Sequence, residues 1–169
     1  MRENVYNDDE RQYLQMMQSN IERMAANSAN CKAWMVTIVA ALMALQCTSI
    51  GDLNGWLLLG LLPILLFWYL DTFYLHLERG MRNRERDFLN KRNIEDASVY
   101  ETVLFNLKPL MIDEKDLTDE QKQAGIVATD DRWFSKSTAP FYLTPIIVIV
   151  VMTIVINWSI IIGWFCNRT

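Results

Sequence analysis

The sequence predicts an all-α integral membrane protein: three transmembrane helices and a helical cytoplasmic layer. Three observations predict it. Apolar stretches run over residues 33–50, 55–75 and 141–165, and a helix needs about 20 mostly apolar residues to cross a bilayer core of about 30 Å. The chain is 51% hydrophobic, yet its mean hydropathy is only +0.06, so the apolar residues are concentrated in those stretches. Lys and Arg gather before the first stretch and between the second and third. By the positive-inside rule this puts the N-terminus and the long loop in the cytoplasm and the C-terminus outside. An odd number of spans agrees with that placement. Four segments follow: a cytoplasmic N-terminal helix (1–32), a transmembrane hairpin (33–75), a cytoplasmic helical loop (76–140), and a third span with a short outer tail (141–169). The segment MRENVYNDDERQ is polar and acidic, with no h-region after it, so the first span is expected to act as an uncleaved anchor.

The first helix is expected to run from the cytoplasm straight into the membrane. Leu14, Met17, Ile21, Met24, Ser28, Cys31, Met35, Ile38, Leu42 and Leu45 recur at spacings of three and four, a heptad-like seam. On the other face Ala29, Ala33, Thr37, Ala40 and Ala44 form a small-residue stripe of the kind that lets helices approach closely in lipid. Two readings of the stripe stand, a subunit interface or packing on the second span of the same chain.

In the second span, Pro63 predicts a kink. Trp68, Tyr69, Phe73 and Tyr74 predict an aromatic belt at headgroup depth. Asp71 lies at the inner boundary, where a carboxylate is costly unless paired. Lys32, Asn27 and Asn30 reach the same depth, so Asp71 and Lys32 are the expected structural clamp, an ion or proton relay being the alternative. The helix is expected to continue to Arg92, bearing Arg79, Arg82, Arg84, Arg86, Lys91 and Arg92 against Glu78, Glu85 and Asp87, with Gly80 a weak point. This basic cluster is either an anchor for anionic lipid or a site where phosphates of a nucleotide or oligonucleotide are neutralised.

Beyond it, Val99, Val103, Leu104 and Leu107 give a second amphipathic pattern that stops at Pro109, and an acidic stretch holds Asp113, Glu114, Asp116, Asp119, Glu120, Asp130 and Asp131. Thr118 followed by Gln121 matches a capping box. The third span is aliphatic, and Thr153 and Asn157 share a face with Ile149 and Ile160. That face either hydrogen-bonds a neighbouring helix or lines a pore gated by its isoleucines.

No phosphate-loop, dinucleotide, zinc-protease or nucleophile-elbow pattern occurs. With His76 the only histidine and Cys31, Cys47 and Cys166 in no paired spacing, neither a catalytic activity, a bound metal nor another cofactor is expected. Cys47 and Cys166 both fall on the outer side, where a disulfide is one option.

The runs IERMAANSANCKAWMVTIVAALMAL, FWYLDTFYLHLERGMRNRERDF and FSKSTAPFYL together resemble the small multi-pass membrane effectors of bacterial anti-phage nucleotide signalling, more narrowly those of Hailong-type systems. The resemblance implies a homo-oligomeric ion channel of the bacterial inner membrane, a tetramer being favoured. It further implies control by a short single-stranded DNA oligomer or nucleotide made by a partner nucleotidyltransferase. The acidic balance of the chain, pI about 5.0, departs from a dedicated nucleic-acid binder, so any such contact must be local. The other class of reading is a non-conducting membrane scaffold that anchors a cytoplasmic partner enzyme.

Overall fold

The computed structural model describes residues 8–47, 56–91, 104–129 and 138–156, and all regular structure among them is helical. The α-helices are α1 (Asp8–Cys47), α2 (Trp56–Leu59), α3 (Leu61–Lys91), α4 (Asp119–Gln123) and α5 (Ala139–Ile156), with a 3₁₀ turn at Glu114–Asp116. The chain divides into two compact units. The first takes residues 1–28 and 73–132, the second residues 29–72 and 133–169.

At 40 residues, α1 is about 60 Å long. Asp8, Asp9 and Glu10 in its first turn oppose the positive end of the helix dipole. The predicted seam is largely the buried face: Met17, Ile21, Ser28, Cys31 and Met35 are buried, Leu14, Met24, Ile38 and Leu42 half-buried, and Leu45 exposed. The small residues Ala29, Ala33, Thr37, Ala40 and Ala44 all lie on the exposed face. A kink expected at Pro63 appears as a break between α2 and α3 at Gly60. Proline has no N–H to give the Leu59 carbonyl, and its ring crowds that carbonyl. From Leu61, α3 then runs unbroken to Lys91.

In the first unit, Tyr13, Met17 and Ile21 of α1 pack on Met81 and Phe88 of α3. Tyr13 meets Phe88 edge-on at 4.8 Å and donates to the Asn106 carbonyl at 2.8 Å. Of the second amphipathic pattern, Val99 and Val103 lie outside the described residues, and the described part, Leu104–Leu110, is not helical: Phe105 stands in the left-handed region (φ 60°), and the chain ahead of Pro109 is irregular. Helix α4 has five residues, too few to persist by propensity alone. Both its ends are tied. Thr118 and Gln121 form the capping box, and Ile126 N–H and Gly125 N–H return to the Gln121 and Lys122 carbonyls around Gly125 at φ 78°, a Schellman closure.

In the second unit, Met35, Val39, Ile64, Tyr142 and Ile149 form the core. Trp68 stacks on Tyr142 at 6.0 Å. The outside of this unit is apolar: Trp34, Val36, Leu62, Leu65, Leu66, Ile147, Val151 and Val155 are all more than half exposed. Among the described residues one helix, α1, is long and apolar enough to cross a membrane, over Asp8–Leu45, and only 22% of its most apolar window is buried. The core helix of a water-soluble fold is mostly buried, so this is weak support for a membrane association. Within the described residues α5 is apolar but shorter, at Ala139–Val155. Asp71, His76 and Glu78 dilute the apolar run of α3.

Candidate functional site

The first unit builds a polar clip between α3 and the connector 104–129. Residues 80, 83, 84 and 87 follow a 3–4 spacing and so share one helix face. The Gly80 carbonyl accepts from Leu110 N–H at 2.9 Å. A side chain at 80 would meet Met111 and Pro109 at 2.9 Å, so glycine permits this approach. Asn83 is fully buried. Its amide donates to the Val127 carbonyl at 2.7 Å, and its oxygen accepts from Val127 N–H at 3.0 Å. Thr129 N–H donates to the Ile112 carbonyl at 2.9 Å, and the Thr129 hydroxyl accepts from Ile112 N–H at 3.0 Å. A side-chain amide thus pairs with Val127 as a neighbouring strand would.

The basic cluster flanks this clip and is split by it. Arg79, Arg82 and Arg86, at i, i+3 and i+7, lie along one edge. Arg84 and Lys91, again seven apart, lie along the other. Arg82 pairs with Glu78 at 2.8 Å and is half exposed. Arg86 donates to the Gly125 carbonyl and has no carboxylate within salt-bridge distance among the described residues. Arg84 donates to the Lys108 carbonyl at 3.0 Å and shares Asp87 with Lys91, at 3.5 and 2.9 Å. Two of the five described cations therefore hold the connector by its carbonyls, a role that a linear reading of the charges does not reveal. Burial pushes the Tyr13 phenol above its ordinary value, Arg84 opposing and Asp87 adding to the shift.

The second unit holds the Asp71–Lys32 pair. Lys32 Nζ donates to Asp71 Oδ1 at 2.8 Å; Asp71 is fully buried, Lys32 about a quarter exposed. Tyr142, from α5, lies beside Asp71 and reaches the Phe67 carbonyl at 3.4 Å. Three helices meet at this pair. Nearby, a groove of about 440 Å³ between α1 and α5 is lined by Met35, Val39, Met43, Phe141, Pro145 and Val148 among others. Its one hydroxyl, that of Thr144, donates to the Pro140 carbonyl.

Of the pore face expected on the third span, Ile149 is in the core of the unit, and Thr153 donates its hydroxyl to the Ile149 carbonyl of its own helix. A pore lined by Ile149 would require α5 to leave the place it occupies here. Arg92, Asn157, Ile160 and Cys166 lie outside the described residues, as does the side chain of Cys47. No group of three or more metal-ligating side chains occurs among the described residues. Comparison with protein families, with curated proteins and with solved structures finds no match for this chain.

Proposed function

We propose that the chain is a subunit of an oligomeric membrane effector that conducts ions under the control of a phosphate-bearing cytoplasmic signal, in bacterial anti-phage defence. The observation that carries the membrane part is the inverted surface of the second unit. Leu62 and Val155 are 65% exposed and Trp34 61%, while Asp71 is fully buried and paired with Lys32. In water, an apolar exterior of this extent marks an interaction surface; in lipid it is the ordinary outside of a helical bundle, with its charges paired within. We place three spans in the inner membrane of a bacterium, the N-terminus and the first unit in the cytoplasm. All Lys and Arg except Lys32, Lys136 and Arg168 belong to that unit, which supports this orientation.

Conduction is inferred from the resemblance set out above together with the membrane reading. Three helices around an occupied core enclose no channel, so the conducting species is a homo-oligomer, a tetramer being favoured. The signal is a nucleotide or short single-stranded DNA oligomer received at Arg79, Arg82 and Arg86. A second reading is a non-conducting scaffold for a partner enzyme. It is favoured by Ile149 lying in the core and by Thr153 bonding within its own helix.

Ion flux from liposomes containing only this protein separates the two. The effector reading expects flux that changes on adding short single-stranded DNA or a cyclic nucleotide. Flux indifferent to both retains the channel and removes the ligand. No flux under any condition leaves the scaffold.

A further inference from the structure

We infer that Arg86 is a displaceable clasp, and that a phosphate-bearing anion bridging Arg79, Arg82 and Arg86 loosens the segment 125–129 from α3. This rests on the phosphate-recognition part of the function proposed above and adds how binding would be transmitted. Three features of the first unit carry it.

The three arginines form a single stripe, so their side chains can converge on one phosphate group. They start from unequal commitments. Arg82, half exposed, already has a carboxylate, that of Glu78, which is itself only 14% exposed, so an anion would exchange one charged partner of Arg82 for another. Arg86 has no such partner among the described residues, and its bond goes to a neutral backbone carbonyl. A phosphate oxygen makes a shorter, charge-assisted and often bidentate bond to guanidinium, about twice as strong as one to a neutral acceptor. Arg86 therefore has more to gain from an anion than Arg82, and the Gly125 carbonyl is what it gives up.

That carbonyl sits at the closure of α4, one residue before the buried Ile126 and two before Val127. With Arg86 withdrawn, 125–129 is held by Ile126, by the Asn83–Val127 pair and by the Thr129–Ile112 pair. Val127 is itself 45% exposed, so few apolar contacts resist the opening. Arg84 and Lys91 do not belong to this site. They share Asp87 on the far edge of the clip, and Arg84 is only 13% exposed.

The test uses the full chain in nanodiscs of zwitterionic lipid with inorganic tripolyphosphate as the probe, and in a second arm nanodiscs containing phosphatidylglycerol with no added anion. Binding is followed by calorimetry and the amides of 125–129 by hydrogen exchange. Tripolyphosphate is expected to bind the parent and to speed exchange of Val127 and Thr129 by about tenfold, the equivalent of losing one charge-assisted hydrogen bond. Arg86→Gln speeds the same amides without any anion and weakens binding. Arg82→Gln weakens binding but leaves exchange without anion at the parent rate, because it does not touch the clasp. Arg84→Gln leaves binding within about twofold. Faster exchange in the phosphatidylglycerol arm supports the clasp and assigns the phosphate to lipid headgroups. Binding of tripolyphosphate with unchanged exchange overturns the clasp while leaving phosphate recognition standing. No binding, and no response to phosphatidylglycerol, overturns both.

Discussion

Truncating Asn83 tests whether one buried amide holds the connector to α3. The side chain has no exposure and satisfies both the N–H and the carbonyl of Val127, at 3.0 and 2.7 Å; a third contact, to the Leu110 carbonyl, is long at 3.5 Å. Asn83→Ala leaves two backbone groups without partners and opens a small void. An unsatisfied buried group costs about 1–3 kcal/mol. Val127 is 45% exposed, so water recovers part of that. The expected loss is about 2–3 kcal/mol, or about 30- to 150-fold in the local opening equilibrium. Native-state hydrogen exchange of the full chain in nanodiscs measures it directly at Val127 and Thr129. Asn83→Asp keeps the acceptor for Val127 N–H but sets an oxygen against the Val127 carbonyl, so it recovers little. If Asn83→Ala leaves the protection of Val127 within about twofold of the parent, the clip is not what holds this segment.

Gly80→Ala is expected to cost about 1–2 kcal/mol. The new methyl meets Pro109 at 2.9 Å as well as the flexible end of Met111, and overpacking of that kind outweighs the helix-propensity gain of about 1 kcal/mol. Chemical denaturation of the full chain measures it, and the reverse sign would show that the connector shifts aside freely. Lys32→Met strands the buried Asp71 carboxylate and is expected to destabilise by about 3 kcal/mol, while adding Asp71→Leu recovers most of that. Thermal unfolding in detergent compares the single with the double variant, and equal melting points would mean that the pair holds nothing. Tyr13 titrates above its ordinary pKa in the folded state, so the folded chain retains a proton that the unfolded chain releases above about pH 10. Stability is therefore full below that pH and falls as pH rises through the folded value. Tyr13→Phe removes this slope and costs about 1 kcal/mol below pH 10, through the lost bond to Asn106. Denaturant midpoints at pH 8 and pH 11 test both.

What could be read from the sequence was periodic or chemically forced. The seam of α1 is legible because apolar residues recur at helical spacing, although its true edge also takes in Tyr13 and Val39. The Asp71–Lys32 encounter is legible because a carboxylate among apolar neighbours needs a cation at its own depth, and few are available. The capping box is legible from two residue types three apart. The clip is not legible, because its energy lies in pairings across 27, 39 and 44 residues whose acceptors are backbone carbonyls of unremarkable residues. Charge counting groups Arg79 to Arg92 as one patch; three-dimensional placement separates Arg82, Arg84, Arg86 and Lys91 by what each already touches. A cation paired with a carboxylate, as Arg82 is with Glu78, exchanges one charged partner for another when a ligand binds, whereas one that fastens the chain's own backbone makes ligand binding and local unfastening the same event. If the cluster does receive phosphate, its response is therefore set by Arg86 and the Gly125 carbonyl more than by the total positive charge. Neutralising Arg79 or Arg82 should then lower affinity and leave the response at saturation intact, while neutralising Arg86 removes the response itself.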